Sequence, residues 1–462
     1  MSEPTEAKTS MQLHVKVSPW VMLVIGAGSV LSSLDLFVVN LAFSSIRDSF
    51  SGASNQAMSW VLTAYSISFA AFLVPSGRLA DLYGRKRVFE AGLLIFAIAS
   101  AVCALAPDVI SLILARGLKG LGAALMIPTS LGLLLAAYPK ERHKQMVGIW
   151  AATGSVAAAL GPTLGGALVD IDWRLIFLIN LPVAIPALWL CKHLVETPRV
   201  GNSFPDVLGS AMLIAGIAFF VADISYAPVW GLLSTSFWWV ATAAIVFLTL
   251  FVWRCLVASA PALDLRVFHI PAFTLATVGM AFFYMGFAIM LLGGTLYLTQ
   301  VWRWDPMVAG AAFGVGPGAA VVASLIIGKT AIPPKRLTIA AGLLFLIAGF
   351  WWYAFLGSDA NYWAAYLPGL ILTGTAAGIG QTGFLAGGTA ALPAEQYATG
   401  TGIINTARQI GAAIGVAVFV GVSGSAAQVD QYKTAWLLMG SFGLLASLSA
   451  FLLRTQSSAH QQ

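Results

Sequence analysis

Residues 19–42 read PWVMLVIGAGSVLSSLDLFVVNLA, a stretch of twenty-four residues broken by a single acidic side chain, Asp35. About 20 mostly apolar residues suffice for a helix to cross a hydrocarbon core of about 30 Å. The stretch is therefore long enough to span. Residues 1–18 before it are polar and mixed in charge, with no apolar core and no small-residue cleavage site. The run is expected to persist as a spanning helix behind a polar tail.

The same pattern then recurs almost without pause. Thirteen further runs follow at 56–76, 88–106, 109–137, 146–169, 174–193, 206–225, 235–256, 272–298, 307–328, 337–356, 363–391, 397–422 and 433–454. The segments between them are short, so no separate soluble domain is expected. Composition agrees: 59% of residues are hydrophobic and only 9% are charged, against about 25% charged in a soluble domain. The solvent of this chain is mostly lipid, and the expected class is an all-α membrane protein of fourteen transmembrane helices.

Several other classes lose support. The net charge of +6 could point to nucleic acid, but the basic residues sit in short loops without interleaved aromatics, so no nucleic-acid partner is expected. Cys103, Cys191 and Cys255 lie in apolar runs without disulfide or metal-ligand spacing, and the five histidines fall in loops, helix ends or the tail. Neither a metal nor another cofactor is expected. No paired carboxylates or nucleophile–base set supports an enzyme. Residues 323–330, ASLIIGKT, fit a relaxed phosphate-loop pattern, but a phosphate loop follows a strand and this stretch continues an apolar helix.

The basic residues fix an expected orientation. With the N-terminus in the cytoplasm, seventeen of the 24 Lys and Arg fall on the cytoplasmic side, four on the other, and three within helices. An odd helix count would scramble that asymmetry, so both termini are expected in the cytoplasm, with tails at 1–18 and 455–462. The tryptophans near run ends (Trp20, Trp173, Trp238, Trp239, Trp302, Trp304 and Trp436) are expected to anchor at the interfaces. A faint internal echo links GRLADLYGRKR (77–87) with GKTAIPPKR (328–336), each opening on Gly-basic and closing on Lys-Arg.

Ionisable groups at membrane depth are costly, so each is a functional candidate. Asp35 lies roughly 24 Å from the start of its helix at about 1.5 Å per residue. Arg116, entering from the opposite side, lies roughly 10 Å below that surface, so the two groups reach similar depth. They are expected to pair or exchange partners. Lys119, three residues after Arg116, shares its helical face. Arg408 lies near mid-depth in the thirteenth run. Asp223 is placed at the end of the seventh run, as an interfacial residue. A carboxylate in such a setting is pulled both ways, by desolvation and by nearby cations, which suits it to gaining and losing a proton.

At these residues the chain resembles the fourteen-helix drug:proton antiporters of the major facilitator superfamily. LDLFVVNLA (34–42) resembles the first-helix signature, with its acid at Asp35 and its amide at Asn40. GRLADLYGRKR (77–87) is similar to the loop signature between the second and third helices, and RGLKGLGAA (116–124) to the fourth-helix signature. GPTLGGALVD with WRLIFLINLP (161–182) resembles the fifth-helix antiporter signature. PALDLRVF (261–268) and NTARQIGAAIGVAV (405–418) also look like this family. The matches make physical sense. Gly77 and Gly84 permit close approach and a turn, Asp81 can cap a helix start, and Arg78, Arg85, Lys86 and Arg87 can latch two halves together. Gly154, Gly161, Gly165 and Gly166 form a small-residue face, and Pro162 removes a backbone hydrogen bond.

The resemblance implies a major facilitator fold with two six-helix bundles, 19–193 and 272–454, and an inserted pair at 206–256. It implies a latch that holds the outward-open state, and proton-coupled export of amphiphilic small molecules or drugs across the plasma membrane. Asp35 and Arg116 would couple the proton, while Asn40, Lys119 and Arg408 would line the substrate cavity. The proton gradient would supply the energy, and a monomer in the bilayer is expected. Two departures stand out: Lys119 replaces the family's usual Gln, and 328–336 lacks an acidic residue, so a second latch there should be weak. Three basic groups against one or two acids inside the helices favour a neutral, zwitterionic or anionic amphiphile. The alternatives are an exporter of an endogenous lipid or secondary metabolite, and a membrane receptor or assembly protein that transports nothing.

Overall fold

The computed structural model describes residues 19–50, 55–169, 171–196, 206–231, 233–259, 261–423 and 429–452. The expected tails at 1–18 and 455–462 lie outside them. Helix α1 is Pro19–Leu41, α2 Asn55–Tyr83, α3 Arg85–Ala104, α4 Val109–Ala137, α5 His143–Val169, and α6 Leu175–His193 in three short pieces. Next come α7 Val207–Trp230, α8 Thr235–Val257 and α9 Pro271–Leu296. Helix α10 is Pro306–Phe313 and Val315–Gly328, broken at Gly314; α11 is Pro334–Phe355, α12 Leu367–Ala390, α13 Tyr397–Ser423 and α14 Val429–Phe451. Each of the fourteen apolar runs coincides with one of these helices. Among the described residues, ten helices are long and apolar enough to cross a membrane.

Local chemistry starts and stops these helices. Asp108 caps α4 by accepting from the Ser111 amide at 2.8 Å, with Ser111 returning the bond, a capping box. Asp206 caps α7 through the Gly209 amide and also pairs with Arg254 of α8 at 3.2 Å, tying that helix pair together. Prolines open α9, α10 and α11, where a missing N–H costs nothing.

Helices α1 to α6 pack chiefly among themselves, as do α9 to α14; α8 packs on α7, and α7 packs against α2 and α13. The two groups meet along α2–α13 and α5–α10. Glycines set how closely they meet: a Cβ on Gly77 would lie 2.5 Å from the Ala398 carbonyl, and one on Gly148 2.7 Å from the Ser324 carbonyl.

Three expectations need correction. Helix α2 does not stop near 76 but runs to Tyr83, so 77–83 is helical and the connection is Gly84 alone, at φ 107°. Helix α7 continues to Trp230, because Tyr226 packs on Trp60 of α2 and stacks with Trp230. Asp223 therefore lies within α7, buried, and its Oδ1 has no hydrogen-bond partner among the described residues. Of the tryptophans expected at the interfaces, Trp173, Trp302 and Trp436 are buried in the bundle; Trp436 packs edge-on against Trp352 and Tyr297.

Candidate functional site

Asp35 lies on α1, and α4 brings two cations to it from one face. Arg116 Nη1 donates to Asp35 Oδ2 at 2.5 Å, and Lys119 Nζ donates to Asp35 Oδ1 at 2.5 Å. Both carboxylate oxygens are thus taken. All three residues are sealed, with relative exposures of 1%, 2% and 0% for Asp35, Arg116 and Lys119. The remaining capacity of Arg116 goes to α2: its Nε donates to the Val61 carbonyl at 3.0 Å, and its guanidinium lies 4.7 Å from the centre of the Tyr65 ring. The Tyr65 and Ser32 hydroxyls lie 3.1 Å apart, closing the circuit back to α1. Lys119 sits between Phe96 of α3, at 4.8 Å, and Phe177 of α6, at 5.0 Å.

Close helix packing makes this possible. Gly120 meets the Tyr65 carbonyl with no room for a Cβ, and Gly122 and Gly92 do the same for α4 and α3. The structure thus brings Asp35 and Arg116 together as expected. It places Lys119 on the same carboxylate rather than on an open wall.

Arg408 is elsewhere, on α13. Its guanidinium lies 5.4 Å from the Tyr284 ring of α9, and the Tyr284 hydroxyl is 3.5 Å from Gln381 Oε1. Its Nε is buried without a hydrogen-bond partner among the described residues, as are Thr401 Oγ1 and Asn405 Oδ1 on the same face of α13. The Asn40 and Pro162 side chains lie outside the described residues. Gly154 packs against Ser29 and Ser33 of α1, whereas a Cβ on Gly166 would meet open space.

The end of the bundle carrying Arg85 to Arg87 is closed. Asp81 Oδ2 accepts from the Thr399 amide at 2.9 Å and from its hydroxyl at 2.7 Å. Thr399 lies in the first turn of α13, so Asp81 does cap a helix start, but that of a helix in the other group. Arg85 donates to Asp81 Oδ1 at 2.9 Å, to the Gly132 carbonyl at 3.1 Å and to the Ala394 carbonyl at 2.6 Å. The neighbouring bases do other work: the Lys86 and Arg87 amides donate to Glu196, which supplies the cap that Gly84 cannot. On the α5–α10 side, Lys144 Nζ donates to the carbonyls of Thr330 and Ile332. Burial pulls its ammonium below the ordinary lysine value.

Nothing among the described residues would hold a metal ion. A groove of about 350 Å³ between α2, α4 and α7, lined by Trp60, Ile67, Phe72, Leu114, Leu118 and Ile214, lies on the outside of the bundle and has no charged residue in its wall. Tyr65, Phe96, Phe177, Thr399 and Lys144 were not singled out by the sequence. The aromatics read as ordinary apolar positions, and the partners of Arg85 are mostly backbone carbonyls.

A helical bundle that seals charges at mid-depth and closes two groups of helices at one end is a multi-pass membrane transporter. The chain belongs to the Major Facilitator Superfamily, whose family model matches residues 25–416. That family comprises transporters and not enzymes. Among curated relatives, the Multidrug resistance protein Stp of Mycobacterium tuberculosis is 34% identical over 86% of this chain and 74% of its own. The Puromycin resistance protein pur8 of Streptomyces alboniger is 32% identical over 87% of this chain and 81% of its own. Among solved structures, the human organic anion transporter MFSD10 shares the fold at a TM-score of 0.67 and 16% identity, over 93% of this chain and 99% of that one.

Proposed function

We propose that the protein is a proton-coupled exporter of amphiphilic small molecules, of the drug and antibiotic kind named in its relatives, across the plasma membrane. The observation that carries this reading is Asp35, a carboxylate inside α1 whose two oxygens are held by Arg116 and Lys119 with no exposure to water. A sealed ionic group at membrane depth is expensive to build and marks a proton or ion relay. The relatives at 34% and 32% identity, named for resistance to multiple drugs and to puromycin, support export over the receptor alternative.

The working cycle is alternating access between two six-helix halves, 19–193 and 272–454, with the pair at 206–256 inserted between them. The excess of Lys and Arg on the side of the 77–87 segment supports placing that side, and both termini, in the cytoplasm. The contacts of Asp81, Arg85 and Lys144 then hold the cytoplasmic end shut in the conformation described above. Proton binding at the Asp35 cluster from outside releases substrate there. Proton loss to the cytoplasm resets the carrier for the next molecule, and Arg408 on α13 faces the substrate.

The test is substrate-induced proton release from purified, detergent-solubilised protein, with puromycin, dyes, anionic amphiphiles and lipids as candidate ligands. Protons should leave the wild type and not Asp35→Asn. Compounds that bind while no protons move in either protein would remove the coupling and favour a facilitator or receptor.

A further inference from the structure

We infer that the exchangeable proton is carried by Lys119, and that Asp35 stays ionised as its anchor. This deepens the proton-coupled reading above and rests on it. The argument is a count of charge in a sealed site. Asp35, Arg116 and Lys119 sum to one positive charge when all are ionised. Protonating Asp35 would leave two bare cations facing a neutral acid. Removing a proton from Lys119 leaves a neutral pair, Asp35 with Arg116, whose 2.5 Å contact is already made.

A low-dielectric site penalises net charge steeply, so the step from one charge to none is far easier than the step from one to two. Arginine does not give up its proton in proteins, whereas a buried lysine does so readily.

The surroundings of Lys119 fit this role. The charged or titratable groups facing it are Asp35 from α1, Arg116 from its own helix and Cys103 from α3. Phe96 of α3 and Phe177 of α6 complete the slot, and their ring faces favour the ammonium while its proton is present. Tyr65 of α2 reaches Arg116 instead. Among the described residues, Asp35 is the one carboxylate that acts on Lys119. The step balances simply: one N–H bond of the ammonium breaks, its electron pair stays on Nζ, and the proton passes to the water that reaches the site when the carrier opens.

Substitution at Lys119 separates the two carriers. In proteoliposomes, puromycin counterflow without a pH gradient reports substrate exchange, and accumulation under an imposed gradient reports coupling. Lys119→Arg keeps the charge and the ion pair but has no proton to give. Its ratio of gradient-driven accumulation to counterflow should fall by roughly tenfold or more. Lys119→Met leaves the neutral Asp35–Arg116 pair and serves if the larger guanidinium does not fit between the two rings. Its counterflow should not change with pH, whereas that of wild type should. Normal coupling in Lys119→Arg, or a wild-type pH profile in Lys119→Met, would put the proton on Asp35 and overturn this inference while leaving export intact. Counterflow in wild type without any response to a proton gradient would sink the coupled reading itself.

Discussion

The two places where the helix groups are bolted together at the basic end solve one problem with different chemistry. Between α2 and α13 the bolt is a buried ion pair: Asp81 and Arg85, with side-chain exposures of 1% and 5%, bind each other, then reach across to Thr399 and Ala394. Between α5 and α10 the bolt is a lone ammonium, Lys144, half-buried on the carbonyls of Thr330 and Ile332. The first holds by satisfying charge that has nowhere else to go. The second holds by hydrogen bonds that water could replace. The segment at 328–336 has no acid, but its backbone serves instead, so a pattern that reads as a degenerate copy still carries a bolt.

The difference sets an order of effects. Asp81→Asn should be the most damaging change, because the amide can still accept from Thr399 but leaves Arg85 buried without its counter-charge. Removing one partner of a buried pair costs about 3–5 kcal/mol, enough to open this end in most molecules. Spin labels at the exposed positions Tyr83 and Glu395, one on each group, would report it as a shift to longer distances. An unchanged distribution would mean that close packing at Gly77, and not the ion pair, holds the α2–α13 seam. Lys144→Met comes next. A hydrogen bond to a charged group contributes about 1.5–3 kcal/mol when buried and less where water can substitute. Labels at Glu141 and Lys329 should therefore show only a partial population opened, and an effect equal to that of Asp81→Asn would erase the distinction between the bolts.

Much of this fold can be read from the sequence, for a physical reason: lipid forces every spanning segment to be helical and apolar, so the fourteen runs become fourteen helices. Asp35 and Arg116 were legible because a charge inside such a run has few explanations. Lys119 was legible as a charge but not as the second ligand of Asp35, since how α4 seats against α2 and α3 depends on close contacts at Gly120 and Gly122 that spacing alone does not reveal. The bolts were half legible. Asp81 and Arg85 stand out, but their partners are an amide and carbonyls, which every residue possesses. Asp223 was misplaced because aromatic packing between Trp60 and Tyr226 carries α7 past its apolar stretch.

The smallest expected effect probes that half-legibility directly. The run from Arg85 to Arg87 offers three adjacent cations, any of which could serve as a bolt by sequence alone. Among the described residues, Arg85 is the one of the three whose contacts cross between the groups. The Lys86 ammonium lies 3.9 Å from Glu90 on its own helix, a partly exposed pair of the kind that contributes about 0–1 kcal/mol. Its backbone amide, which binds Glu196, survives any substitution. Lys86→Gln should thus leave the Tyr83–Glu395 distance distribution as in wild type, and export with it. A clear opening in Lys86→Gln would show that the summed positive field of this end holds the groups together, in place of the specific geometry of Arg85. Raising the salt concentration separates the two causes. A field effect weakens as the Debye length falls to about 3 Å at 1 M salt, whereas the sealed contacts of Arg85 are shielded far less.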